Sequence, residues 1–250
     1  MVLLHGGPGA AGYVAPVARA LADLFRVLEP FQRGSGAKPL TVARHVEDLH
    51  ELLASRRDPA PPAVVGHSWG AMLALAHAAE YPGDLRSLVL IGCGTFDEAS
   101  RRYLTTTRDA RMGVDLRRRI EQLDVEVPDP DERLRMTGEM ILPAYSFELA
   151  TTDLEIEACD ARAHHESWDD MMRLQKEGIY PSAFASIRVP VLMLHGAHDP
   201  HPGALIRASL EPYVARLEYR EWERCGHYPW IEKAVREEFF AALRGRLTSC

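Results

Sequence analysis

The chain has 250 residues, 46% of them hydrophobic and 26% charged, and carries a formal net charge of −7. That length supports a large single core, and the acidic balance argues against nucleic acid as a partner. With no apolar run long enough for a membrane span and no basic-then-apolar leader before Met1, a cytoplasmic protein without a membrane partner is expected.

Val2-Leu3-Leu4 reads as a short strand running into the loop His5-Gly6-Gly7-Pro8-Gly9, whose glycines leave backbone N–H groups unobstructed. Helical spacing of Val14, Val17, Ala18, Leu21 and Phe25 predicts a helix from Tyr13 to Leu24. Arg26–Glu29 reads as a strand and Gln32-Arg33-Gly34-Ser35-Gly36 as a loop. Thr41 caps a predicted helix to about Ser55, with Val42, Val46, Leu49, Leu52 and Leu53 on one face. The breaker Asp58-Pro59-Ala60-Pro61-Pro62 leads into the strand Ala63-Val64-Val65, then a helix to Tyr81 and a buried strand over Leu85–Gly92. Such alternation predicts right-handed βαβ units and a mostly parallel sheet covered on both faces.

The rhythm stops after Gly94. From Thr95 to Pro181 only polar helical stretches appear, broken at Pro128-Asp129-Pro130 and at Pro143. Residues 95–185 are therefore expected to form a helical cap inserted into a core of residues 1–94 and 186–250. The sheet resumes at Val189–Gly196, followed by a helix near Ala204–Leu210, a strand at Leu217–Trp222 and a closing helix from about Ile231 to Leu247.

The chemistry centres on Gly66-His67-Ser68-Trp69-Gly70, a G-x-S-x-G pattern between a strand and an Ala/Leu-rich helix. A serine at such a turn holds its hydroxyl clear of the sheet, beside a helix N-terminus that favours an oxyanion. The nucleophile needs a base, and the base needs an orienting acid. Asp199, in Gly196-Ala197-His198-Asp199-Pro200, and His227, in Cys225-Gly226-His227-Tyr228-Pro229-Trp230, follow the last two strands, so all three are expected at the carboxyl edge of the sheet. Backbone N–H groups of Gly7 and Trp69 are the expected oxyanion hole. His5 is read as a support for its loop. His195, His198, Asp199 and His201 crowd one loop without a second ligand cluster, so neither a metal nor an organic cofactor is expected. The cysteines (Cys93, Cys159, Cys225, Cys250) form no C-x-x-C pair and read as free thiols.

These ordered motifs resemble the α/β-hydrolase superfamily from first strand to last helix. The His5–Gly9 and Gln32–Gly36 segments are similar to those of its proline iminopeptidase-like branch. The resemblance implies a serine hydrolase working through an acyl-enzyme, on a short peptide or other small substrate. That branch usually carries an aspartate where this chain has Phe31 and a glycine where it has His67. These two residues point toward the alternative of a carboxylic-ester hydrolase acting on a small neutral substrate. A third alternative is a non-catalytic ligand receptor on the same fold. Family members also carry a β-hairpin before the H-G-G-P-G strand, here missing, so either Arg26–Glu29 is left as an open sheet edge or the chain begins upstream of Met1, the second being the expectation. Between Met136 and Asp170 nine acidic residues face one arginine. Glu139, Glu148 and Glu166 are the cap candidates for attracting a substrate's amino group, against the alternative of a solvated acidic face.

Overall fold

The computed structural model describes residues 1–56 and 60–249; Asp58 and Pro59 of the breaker, and Cys250, lie outside them. Its elements run β1 (Val2–Leu4), β2 (Ala10–Ala11), α1 (Ala15–Leu21), α2 (Val42–Ala54), β3 (Ala63–His67), α3 (Trp69–Glu80) and β4 (Ser87–Ile91). Then follow α4 (Glu98–Glu126), α5 (Pro130–Ile141), β5 (Ala158–Cys159), α6 (Ala161–Lys176), β6 (Val191–Gly196), α7 (Gly203–Leu210), β7 (Leu217–Trp222) and α8 (Arg236–Thr248). The main sheet has the order β1-β3-β4-β6-β7 and every pair in it is parallel. This is the expected α/β arrangement. None of the helices among the described residues is long and apolar enough to cross a membrane.

Parallel strands covered on both faces must be apolar at nearly every position. β3 and β4 are buried throughout and split their side chains between two layers. Val64, Leu88 and Leu90 join Val46, Leu49, Leu75 and Met193 on the face covered by α2 and α3. Val65, Val89 and Ile91 join Val17, Leu21, Phe239 and Leu243 beneath α1 and α8. α2 buries Val42, Val46, Leu49 and Leu53 along one stripe, and the Thr41 hydroxyl accepts from the Arg44 N–H at 3.1 Å, as its sequence predicted. α3 is buried from Trp69 to Ala78, because sheet, α2 and segments from residues 171–184 enclose it.

Two expectations about the amino-terminal half need correction. The strand over Arg26–Glu29 shrinks to a single bridge, in which Leu28 exchanges hydrogen bonds with the backbone of Leu3 and Met1 at 2.8 and 3.0 Å. The helix expected from Tyr13 covers only Ala15–Leu21, since Tyr13 turns inward to the site described below. Within residues 95–185 the helices are present, with α4 broken at Gly113 (φ 67°, ψ −179°) and α5 opened by Asp129 and Pro130. The segment is not free of strand, however. β5 pairs antiparallel with β2, joining Ala10 to Cys159 and Ala11 to Ala158. Two residues per strand are too few for a periodic signal. The closing helix starts at Arg236, after a 3₁₀ turn over Pro229–Ile231.

The tightest backbone approach lies where β3 turns into α3. A Cβ on Gly66 would stand 2.2 Å from the Gly70 carbonyl oxygen, and one on Gly70 would stand 2.4 Å from the Leu4 oxygen. Neither neighbour is a flexible side-chain end, so Gly66→Ala is expected to cost about 3 kcal/mol or more. A urea midpoint equal to that of the native chain would contradict this packing.

Candidate active site

Ser68 sits in that turn with φ 54° and ψ −117°, a region a β-substituted residue avoids. Its N–H donates to the Ile91 oxygen at 2.8 Å, so β4 holds the strained turn in place. The loop after β1 crosses it closely. A Cβ on Gly6 would lie 2.6 Å from the Ser68 Cβ, so Gly6 must stay bare, while Gly7 takes φ 45°. His5 supports this loop as expected. Its Nδ1–H donates to the Gly6 oxygen at 2.9 Å and its Nε2 accepts from the Gln32 N–H at 3.2 Å. Gln32 then ties both sides together, donating to the His5 oxygen at 2.8 Å and accepting from the Trp69 indole N–H at 2.7 Å. The two N–H groups read as an oxyanion hole thus belong to segments joined by one glutamine.

Asp199 lies in the turn after β6 and is completely buried. Its Oδ2 accepts from the His227 Nδ1–H at 2.6 Å, and its Oδ1 accepts from both the Nδ1–H and the backbone N–H of His201 at 2.9 Å. The His201 ring stacks on the His227 ring with centroids 4.6 Å apart. Burial alone would raise the Asp199 pKa, but the histidines beside it hold its carboxyl well below the usual range, so it is ionised. For His227 burial dominates over the Asp199 charge and lowers the pKa from 6.5, leaving the ring neutral at pH 7.

Several contacts fix His227 relative to Ser68. Gly92, at the end of β4 with φ 52°, leaves room where a Cβ would stand 2.9 Å from the His227 Nδ1. The buried His67 donates from Nε2 to the His227 oxygen at 2.9 Å and accepts from the Tyr13 hydroxyl at Nδ1 at 2.8 Å. Burial holds His67 neutral, which this donor–acceptor pattern requires. The His227 N–H donates to the Tyr145 oxygen at 2.7 Å. The buried carboxylate of Glu232 accepts from the N–H groups of Gly226, Phe147 and Glu148 at 2.7–2.8 Å, stitching the His227 loop to the segment after α5. The Ser68 hydroxyl itself forms no hydrogen bond among the described residues. Links of this kind commonly tighten only around substrate.

Tyr13, His201 and Glu232 were not foreseen as parts of the site. Tyr13 looks like the first residue of a helix, and His201 like one of a crowd of loop histidines. Glu232 gives no signal because its partners are backbone groups. Asp199, His201 and His227 place one ligand atom each within 4.8 Å of one another, but those atoms already bond to each other.

The three acidic candidates stand apart. Glu139 on α5 pairs with Arg135. Glu148 pairs with Arg224 at 3.1 Å and Lys233 at 3.3 Å. Glu166 on α6 accepts from the Leu40 N–H at 2.8 Å and Arg162 at 2.7 Å. Each is engaged by a cation or a backbone donor, and Glu166 anchors the loop before α2.

A base that must be neutral to accept a proton gives activity above its pKa and loses it as the pH falls through that value. For His227 acting as that base, its lowered pKa predicts that kcat/KM holds down past pH 6.5 before it drops. An acidic limb with a midpoint at or above pH 7 would contradict this environment.

Residues 1–242 match the family model described as "Alpha/beta hydrolase family". The proline iminopeptidase of Lactobacillus helveticus is 26% identical over 280 residues, covering 98% of this chain and 88% of that one. The crystal structure of the proline iminopeptidase of Mycobacterium smegmatis superposes with a TM-score of 0.65 at 20% identity, covering 99% of this chain and 88% of that one. A thermophilic esterase from Thermogutta terrifontis gives a TM-score of 0.65 at 21% identity, with 99% and 89% covered. At those identities the two structures share the fold and leave the substrate open. The chain belongs to the alpha/beta hydrolase family and is a hydrolase resembling its proline iminopeptidase-like branch.

Proposed function

We propose that the protein is a serine hydrolase in which Ser68 is the nucleophile, His227 the general base and Asp199 the residue that orients and balances His227. The observation that carries this is the buried 2.6 Å bond from His227 to an ionised Asp199, beside a serine held at φ 54°. His227 takes the Ser68 proton through Nε2 as the hydroxyl attacks a substrate carbonyl. The oxyanion meets the N–H groups of Gly7 and Trp69. His227 then protonates the leaving group, and a water that it activates releases the acyl group from Ser68. The helices of residues 95–185 are the cap over this edge of the sheet.

For the substrate, the iminopeptidase names carried by relatives that align over nearly the whole chain favour removal of an amino-terminal proline or similar short residue. A specific observation favours esters as the second reading. Glu139, Glu148 and Glu166 are each engaged by other partners, which weakens the case for the amine-attracting role expected of them. Hydrolysis of a prolyl arylamide beside a short p-nitrophenyl ester, with Ser68→Ala as the blank, separates the readings. Arylamide cleavage selects the aminopeptidase, ester cleavage alone selects the esterase, and labelling by a fluorophosphonate without turnover of either selects a receptor.

A further inference from the structure

At the far end of α3 from Ser68, His50, His77 and Asp84 converge. His50 projects from α2, His77 from the last turn of α3 and Asp84 from the turn that follows it. The nine residues from Ser68 to His77 span about 13 Å of helix, so this cluster is separate from the catalytic edge. The Asp84 Oδ2 lies 2.6 Å from the His50 Nδ1 and 3.4 Å from the His77 Nε2. One donor atom from each of the three residues falls within 4.8 Å of the others.

A plain hydrogen bond accounts for His50 and Asp84. It does not account for His77, whose side chain is fully buried and whose two ring nitrogens both lack a hydrogen bond. Buried imidazole nitrogens normally have partners, because water lost on burial must be replaced. Its unpartnered Nε2 faces a carboxylate oxygen. The ring also sits at the helix C-terminus, where the backbone dipole favours a cation. Tyr81 stacks on His50 with centroids 3.9 Å apart and packs against His77 at 5.4 Å, so both imidazoles are oriented.

We infer that His50, His77 and Asp84 form a binding site for a divalent transition-metal ion of the zinc type, clipping α2 to the end of α3. The donor set of two imidazoles and one carboxylate is the borderline-soft combination that zinc prefers. Tetrahedral bonds of about 2.0–2.1 Å put donor atoms about 3.3 Å apart. The 3.4 Å between Asp84 and His77 already matches this. The 2.6 Å pair of His50 and Asp84 must open by roughly 0.7 Å as the ion replaces the proton they share. Both side chains are partly exposed and can make that shift. A cleft of about 230 Å³, lined by Leu53, Arg56, Pro61 and Gly83, opens onto Asp84, the side from which a water would complete the coordination.

The test uses the whole chain stripped with chelator and titrated with zinc sulfate. Calorimetry is expected to show one ion bound per chain, and a hundredfold excess over the dissociation constant is expected to raise Tm by roughly 5–10 °C. Asp84→Asn and His50→Gln, at partly exposed positions, are expected to abolish both effects while leaving hydrolytic activity and circular dichroism unchanged. Asp199→Asn, which breaks the other cluster of ligating atoms, is expected to retain them. Absence of uptake, uptake that survives both Asp84→Asn and His50→Gln, or uptake lost with Asp199→Asn alone overturns the assignment.

Discussion

Replacing Ser68 by alanine is expected to lower kcat/KM by about 10⁴-fold or more on whichever substrate the protein accepts. In the proposed mechanism the hydroxyl supplies the attacking oxygen, and no neighbouring group can substitute for it. Thermodynamic stability is expected to stay within about 0.5 kcal/mol of the native value, because the hydroxyl makes no hydrogen bond and alanine inherits the same strained backbone. Steady-state kinetics, a urea melt and loss of fluorophosphonate labelling check the three parts together. Turnover that survives the substitution removes Ser68 from the mechanism.

Asp199→Asn is expected to cost a comparable factor, about 10⁴-fold in kcat/KM, for a reason particular to this site. Three N–H groups point at the carboxylate, two of them at Oδ1 and the third, from His227, at Oδ2. An amide offers one oxygen, which the paired donors of His201 claim. Its NH₂ then faces the His227 Nδ1 and forces the proton to Nε2, where a lone pair is needed to accept from Ser68. The same substitution alters acid stability. A carboxyl whose folded pKa lies below 3.8 adds stability above that value and loses it as the pH falls toward the folded pKa. The variant is therefore expected to show a shallower stability loss below about pH 4. A fall in kcat/KM of less than tenfold would leave Asp199 without the role proposed for it.

The core of the fold was legible because its strands are short apolar runs set between helices of clear period. β3, β4 and β6 lie within two residues of their sequence-predicted limits, and the Thr41 cap is where its side chain placed it. Ser68, Asp199 and His227 were legible as candidates for a different reason, since each follows a strand and lies within three residues of a glycine. What escaped were contacts between residues distant in sequence. Tyr13 meets His67 across 54 residues, and Phe147 meets Glu232 across 85. Charge counting also missed local pairing. Glu139 and Glu166 lie in an acidic tract, yet each takes an arginine four residues away on its own helix, a pairing that composition alone does not weigh.

The chain from the Tyr13 hydroxyl through His67 to the backbone oxygen of His227 has a mechanical consequence. It couples the turn carrying the nucleophile to the loop carrying the base without passing through any reacting atom. In the proposed mechanism the proton therefore travels between two segments held as one preassembled unit. Under the cap proposed for residues 95–185, remodelling those helices becomes separable from the chemistry, so long as positions 13, 67 and 227 are carried along as one part.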